Sequence, residues 1–260
     1  MKSMEESVLT ALDATDKGLF PFLPYILQDF WEIGSDPESL IPLIKNHNRK
    51  ESPNVLDLGC GKGAVTVKLA SKLGYRCYGI DAVSEFINFA RKKAVQYNVQ
   101  KICKFEAADI RVKVKDLHNY DIIILGSVGQ VFGKYYETLQ ALSPVLNDDG
   151  FIVIDDGYID DQSDFTHPQV PKRKEMVKQI ISAKMRLVDE VISCDNADFQ
   201  AYDTEYALIE KRCNELIEKN RDKSHLFKNY MSQQRKEYGF LKNEIVCATL
   251  VIKKDGKKGQ

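Results

Sequence analysis

The sequence predicts an α/β protein: a doubly wound, seven-stranded sheet with its last strand antiparallel and helical additions at two places. Three observations carry this prediction. Short apolar runs alternate with longer stretches of helical periodicity. The runs are continuously apolar, as strands buried on both faces of a parallel sheet are. After the fifth run, two strand patterns flank a long insert, which suits an antiparallel return strand better than another strand–helix–strand unit. A chain of 260 residues suits one large domain, or one domain with an added cap, around a substantial core.

Taken in order, residues 1–50 contain FPFLPYILQDFW (20–31) and the only tryptophan. Pro21 and Pro24 argue against a regular helix there, and the aromatic density argues for packing, so this segment is read as a helical and aromatic cap. NVLDLG (54–59) is the first strand, and a helix follows with Val65, Leu69 and Leu73 on one stripe, closed by Gly74. RCYGID (76–81) is the second strand; the next helix shows Val83, Phe86, Ile87, Ala90 and Ala94 on one face. KICKFEAAD (101–109) is the third, followed by a short polar connection, and YDIIILG (120–126) is the fourth.

A helix is expected over Val131 to Leu146, ended or bent by Pro144, before the fifth strand GFIVIDD (150–156). A helix over about 169–185, with Val177, Ile180 and Ile181 at helical spacing, leads to the sixth strand, MRLVDEVISCD (185–195). The core domain is therefore placed at 51–195. Residues 196–242 carry two helical stripes: Ile209, Cys213, Leu216 and Ile217, then Phe227, Tyr230, Met231, Gln234 and Tyr238. This insert is too long for a hairpin turn and is expected to fold over the sheet as a lid. NEIVCATLVIKK (243–254) is the final strand, and with the tail DGKKGQ it forms the unit 243–260.

A net charge of -1 gives no electrostatic case for nucleic acid, which calls for a basic excess. The basic run Lys172 to Lys174 is read as a solvated helix face. Six cysteines are scattered singly without zinc spacing, and MKSMEESVLTALDA carries acids where a secretory signal would carry bases. With no long apolar span, no membrane association is expected, and the expected location is cytoplasmic. The sequence sets no oligomeric state.

VLDLGCGKG brings Gly59, Gly61 and Gly63 to the turn between the first strand and its helix. That is where doubly wound sheets bind ligands, against bare backbone and a helix N-terminus. Gly59, Gly61 and Ala64 also fit the dinucleotide pattern, with Asp81 about twenty residues on, so a nicotinamide cofactor stays in play at this point. Asp57, within the strand end, tilts against it, because a buried carboxylate needs a partner. With Asp81 and Asp109 it puts an acid at the tip of each of the first three strands. Such a series suits a ligand with an amino group, a ribose diol and an exocyclic adenine amine.

At these residues the sequence resembles the class I S-adenosylmethionine-dependent methyltransferases, over roughly Pro53 to Asp156 and the closing pair of strands. The motifs are VLDLGCGKG, then GID, then AADI. The resemblance implies a Rossmann-like sheet, S-adenosyl-L-methionine as cofactor and S-adenosyl-L-homocysteine as product. It implies that Asp57, Gly59, Gly61 and Gly63 hold the methionine end, with Asp57 near the ammonium. Asp81 would accept from both ribose hydroxyls, with Ala82 alongside the adenine. Asp109 would receive the adenine amine, with Ile110 packing on the ring or donating from its backbone, and Gly126 and Ser127 would lie beneath the methionine and sulfonium.

Methyl transfer from a sulfonium is a direct displacement, so alignment and water exclusion do most of the work. LGSVGQ after the fourth strand departs from the Asn/Asp-Pro-Pro-Tyr type of motif, which lowers the case for a DNA or protein-glutamine acceptor. Asp155 and Asp156, in DDGYIDD, are the candidate catalytic acids, as general base or as groups orienting the acceptor. Gly126 and Ser127 stand where catechol-type members carry a further acid, so no metal is expected. Tyr158 and His167 are additional base candidates, each read first as structural. The expected function is methyl transfer to a small-molecule acceptor. The alternatives are a nicotinamide-dependent oxidoreductase and a non-catalytic cofactor-binding module.

Overall fold

Strand β1 (Asn54–Leu58) is apolar toward both faces, with Val55, Leu56 and Leu58 at most 1% exposed, and this places it in the interior of the sheet. The computed structural model, which describes residues 2–192 and 196–256, pairs it in parallel with β2 (Arg76–Asp81) on one side and β4 (Tyr120–Gly126) on the other. Outside β2 lies β3 (Cys103–Ala107), and outside β4 lies β5 (Leu146–Tyr158). Strand β7 (Val246–Lys254) is antiparallel to both β5 and the edge strand β6 (Met185–Ile192), so the order is β3-β2-β1-β4-β5-β7-β6. Connections run outward in opposite senses from β1 and β4, which leaves a crevice at their carboxyl ends.

Helices α3 (Pro37–His47), α4 (Ala64–Leu73) and α5 (Ser84–Gln96) cover one face, where Ile44, Val67, Leu69, Ile87 and Ala90 are fully buried against Ile122 and Ile124. The other face is covered by α6 (Ile110–Lys113), α7 (Tyr135–Leu142) and α8 (Arg173–Ser182), whose Leu139, Met176 and Ile180 are fully buried against Leu56 and Ile80. Gly74 ends α4 in the left-handed region at φ 71° and donates its amide to Ala70.

Several boundaries differ from expectation. The helix expected over 131–146 spans only Tyr135–Leu142, because Val131 and Phe132 reach the core from a turn and Pro144 follows the last turn. Strand β5 starts four residues early, at Leu146, where Lys254 Nζ donates to its carbonyl. The polar connection after β3 holds α6 and a 3-10 turn whose Ile110 and Val114 are buried. The helix expected over 169–185 is confined to Arg173–Ser182. The end of the sixth expected strand, 193–195 with Cys194, lies outside the described residues, as does the tail from 257.

The chain enters through α1 (Met4–Ala11), whose start is a capping box: Ser3 Oγ accepts from the Glu6 amide at 3.1 Å, and Glu6 Oε2 accepts from the Ser3 amide at 2.6 Å. Pro21 falls in a 3-10 turn (Lys17–Phe22) and Pro24 in the one-turn helix α2 (Leu23–Ile26), so no regular helix crosses 20–31. Helices α9 (Asn196–Lys219) and α10 (Ser224–Asn243) direct their stripes at this segment. Cys213, Leu216, Phe227 and Tyr230 bury against Leu9, Leu19, Leu23 and Ile26, and the cluster meets the sheet layer through Val83 and Phe86. Phe22 and Phe227 make an edge-to-face contact at 5.0 Å.

A single lysine fastens this cap to the glycine turn. Lys62, only 4% exposed, donates from Nζ to the carbonyls of Leu27 at 2.5 Å and Phe30 at 2.6 Å. In return Trp31 Nε1 donates to the Lys62 carbonyl at 3.1 Å. Burial brings the Lys62 ammonium down to about 8. Replacing Lys62→Met removes both Nζ bonds and is expected to cost about 1–3 kcal/mol in urea unfolding, with a red shift of the Trp31 emission. Unchanged stability and spectrum would contradict the fastening.

The cap also holds a half-buried acid. Asp13 lies in the left-handed region at φ 55°. Burial, and then the charge of Glu237, push its carboxyl up to about 7, against a bond from Gln234. The folded value exceeds the ordinary one, so the folded state holds this proton more tightly and loses stability as pH rises from about 4 to about 7. Asp13→Asn, which tolerates the same backbone, is expected to raise the melting temperature at about pH 8 and to change it little at about pH 4. A melting curve with equal gains at both values would refute the charge as the cause.

Candidate functional site

The turn after β1 is held from two sides. The Gly59 and Cys60 amides both donate to the Ile80 carbonyl, at 2.8 and 3.0 Å, and the Gly61 amide donates to Asp81 Oδ2 at 2.8 Å. Gly59 and Gly63 have φ of 77° and 75° and no room for a side chain. A Cβ on Gly59 would meet Val128 Cγ1 at 2.3 Å, and one on Gly63 would meet Ala90 at 2.7 Å and Phe105 at 2.9 Å. Gly63 therefore serves the packing of α4 on α5 and β3.

Above the turn is a cavity lined by Gly59, Gly61, Asp81, Ala82, Asp109, Ile110, Gly126 and Ser127, among others. Eight residues singled out in the sequence thus meet at one place. Gly63 does not line it. Asp57 lies below the turn, in an adjoining recess shared with Ser35 and Lys62, and accepts from Thr66 Oγ1 at 2.5 Å. Burial, and to a lesser degree the charge of Asp81, push Asp57 up to about 6. It joins β1 to α4 and is separated from the main cavity by Gly59 and Gly61, which line both.

Asp81 takes the Gly61 amide on Oδ2 and the Val83 amide on Oδ1, each at 2.8 Å, with the Ala82 amide also turned toward the carboxylate, which lines the cavity. Burial raises its carboxyl, and the amides pull against that rise. Asp109 caps α6, accepting from the Arg111 amide at 2.9 Å, and its carboxylate is also gripped by the Arg111 guanidinium at 2.7 and 3.0 Å, which holds it below the ordinary range. The same Arg111 donates to the Lys2 carbonyl at 3.0 Å. This fixes the start of α1, whose Met4, Ser7, Val8 and Ala11 wall the cavity together with Leu12 just past its end. The sequence reading expected a cap over residues 1–50 but did not single out this first helix, although Ser3 and Glu6 at capping-box spacing announce its start.

At the end of β4, Ser127 adopts φ 53°, a left-handed conformation that strains a non-glycine residue. Its amide donates to the Asp155 carbonyl at 2.8 Å, and its hydroxyl lies 3.2 Å from that of Ser35. Asp155 accepts from Thr249 Oγ1 at 2.7 Å, and Asp156 accepts from the Gly157 amide at 2.8 Å. Both line a second recess beyond Val128 rather than the main cavity. Burial raises both carboxyls, Asp156 to about 6. Tyr158 packs with Arg173, whose guanidinium carbon lies 6.0 Å from its ring, and His167 stacks on Phe165 and meets Phe240 edge-on. Neither lines a cavity described above. In the basic run, Arg173 pairs with Glu190 at 2.5 Å and Lys172 donates to the Ser163 carbonyl.

Among the described residues no helix is long and apolar enough to cross a membrane, and no group of three or more His, Cys, Asp and Glu could hold a metal ion.

Comparison with known proteins gives a consistent picture. A Saccharolobus solfataricus protein named as a probable cobalt-precorrin-6B C(15)-methyltransferase (decarboxylating) is 33% identical over 111 residues, which cover 41% of this chain and 53% of that protein. The chain thus spans about half the length of that relative. Among solved structures, a SAM-dependent methyltransferase from Geobacter sulfurreducens in complex with S-adenosyl-L-homocysteine superposes with a TM-score of 0.74 at 17% identity, covering 89% of this chain and 97% of that one. The [4+2]-cyclase SpnF superposes at 0.72 with 12% identity, covering 98% and 97%. At these identities the structural likeness establishes the Rossmann-like methyltransferase fold. A family model described as a methyltransferase domain matches residues 49–241, well over half of the chain, and the protein therefore belongs to the methyltransferase domain family.

Proposed function

We propose that the chain transfers the methyl group of S-adenosyl-L-methionine to a small-molecule acceptor in the cytoplasm. The observation that carries the reading is Asp81. Its carboxylate, steadied by the Gly61 and Val83 amides, lines the cavity beside Ala82, and an acid held there suits a pair of adjacent hydroxyls. The donor and acceptor set around it fits the rest of such a cofactor. Asp109 and Ile110 stand at the adenine end, Gly59 and Gly61 give bare backbone, and Gly126 and Ser127 floor the side toward β4.

When bound, the cofactor supplies an electrophilic methyl group on sulfur. The chain's own contribution is alignment and exclusion of water. Asp81 orients through hydrogen bonds. The α1 wall, Phe86 and Val131 close the cavity with apolar surface. Asp155 and Asp156 are assigned to the acceptor rather than to the cofactor, a role supported by their lining the recess past Val128. The scattered thiols Cys60, Cys77, Cys103 and Cys213, none of them in a disulfide among the described residues, accord with a reducing compartment.

Isothermal titration with S-adenosyl-L-homocysteine is expected to show binding, and Asp81→Ala to weaken it by about 1.5–3 kcal/mol, the usual loss for hydrogen bonds to a charged group. No heat and no shift in melting temperature would overturn the reading, as would binding of NADH in its place.

A further inference from the structure

The recess beyond Val128 is framed by the loop after β4, the first turn of α7 and the end of β5. Two features in it lack partners. Asp156 takes one amide bond on Oδ1, and its Oδ2 accepts none from the described residues. Tyr135, only 7% exposed, lines the recess, and its hydroxyl has no hydrogen-bond partner among the described residues. A buried hydroxyl without a partner is rare in folded proteins and marks a place where a polar group is missing.

The charges around it set the sign of that group. No lysine, arginine or histidine is among the residues lining the recess or the main cavity. Of the four acids that line the two, Asp109 is neutralised by Arg111 and Asp81 is steadied by amides. Asp155 and Asp156 have only neutral partners. Burial and the charge of Asp155 place the Asp156 carboxyl at about 6, so it is ionised in the main at neutral pH. An anion entering here would meet uncompensated negative charge in a site of low dielectric, whereas a cation with N–H donors would gain charge-assisted bonds.

We propose that this recess seats an alkylammonium group of the methyl acceptor, with Asp156 Oδ2 and the Tyr135 hydroxyl as its acceptors, so that the enzyme takes small amines and turns away carboxylates and phosphates. The proposal rests on the adjoining cavity being the cofactor site. Across Val128 the two compartments share a wall, which puts an anchored acceptor next to Gly126 and Ser127.

The test is saturation-transfer NMR on the full chain with three size-matched probes, propylammonium, propan-1-ol and propionate, each with and without S-adenosyl-L-homocysteine. Propylammonium is expected to bind at least about tenfold more tightly than the other two. Asp156→Asn should abolish that preference, and Tyr135→Phe should weaken propylammonium several-fold while leaving propan-1-ol unchanged. Equal or tighter binding of either other probe, no binding of any probe at tens of millimolar, or a preference that survives Asp156→Asn would overturn the proposal. If Asp156→Asn fails to fold, as judged by circular dichroism, an unchanged propylammonium affinity in Tyr135→Phe overturns it alone. Loss of S-adenosyl-L-homocysteine binding with the amine preference intact would sink the cofactor reading and leave the recess standing as an amine site.

Discussion

The bond from the Gly61 amide to Asp81 is the constraint on which the cleft depends. A strand-to-helix turn rich in glycine has little conformational preference of its own, since each glycine loses more freedom on folding than any other residue. Here the freedom is removed from outside, by Ile80 and Asp81 at the tip of β2 on one side and by the cap carbonyls that hold Lys62 on the other. The turn is thus set by two elements distant in sequence. Its shape in turn fixes the direction of the Asp81 oxygens, the start of α4 and the height of the cavity floor.

Much of this was legible in the residues, and the exceptions have physical reasons. Strands β2 and β4 fall at RCYGID and YDIIILG because continuous apolar runs there end abruptly in polar or glycine residues. Of the acid series, Asp81 follows from its position at a strand tip, whereas Asp109 reaches the cavity as the cap of α6, two residues past β3, and Asp57 lies in the adjoining recess. Strand β5 begins in the polar Leu146–Asp149 stretch, which no apolar pattern marks. Its pairing there is supported by Asn147 donating to Asp121 and by Lys254, more than a hundred residues away. The Lys62 bonds likewise join residues some thirty positions apart, with nothing local to announce them. Tyr135 could not be found from the sequence at all, because its distinguishing property is a bond it lacks.

The titratable groups divide according to what surrounds them. Asp109 is paired with a guanidinium and sits below the ordinary range, whereas Asp57, Asp81, Asp155 and Asp156 are buried with neutral donors and are raised. Among the described residues, the protein supplies these four acids with neutral donors and no cation. Such an arrangement costs folding stability and is recovered only when ligands carrying positive charge or many N–H and O–H donors arrive.

The antiparallel strand β7 lies between β5 and β6, although it is the last of the seven in the chain. During synthesis, every strand through β6 leaves the ribosome before the strand that joins β6 to the others. Until residues 246–254 emerge, β6 has no hydrogen-bonded neighbour in the sheet, and the Ile152–Tyr158 stretch of β5 is an open edge. The nascent chain can close its parallel half around β1 early, but it carries an unpaired edge and a stray strand through the translation of α9 and α10, an interval in which aggregation or chaperone capture competes with completion of the sheet.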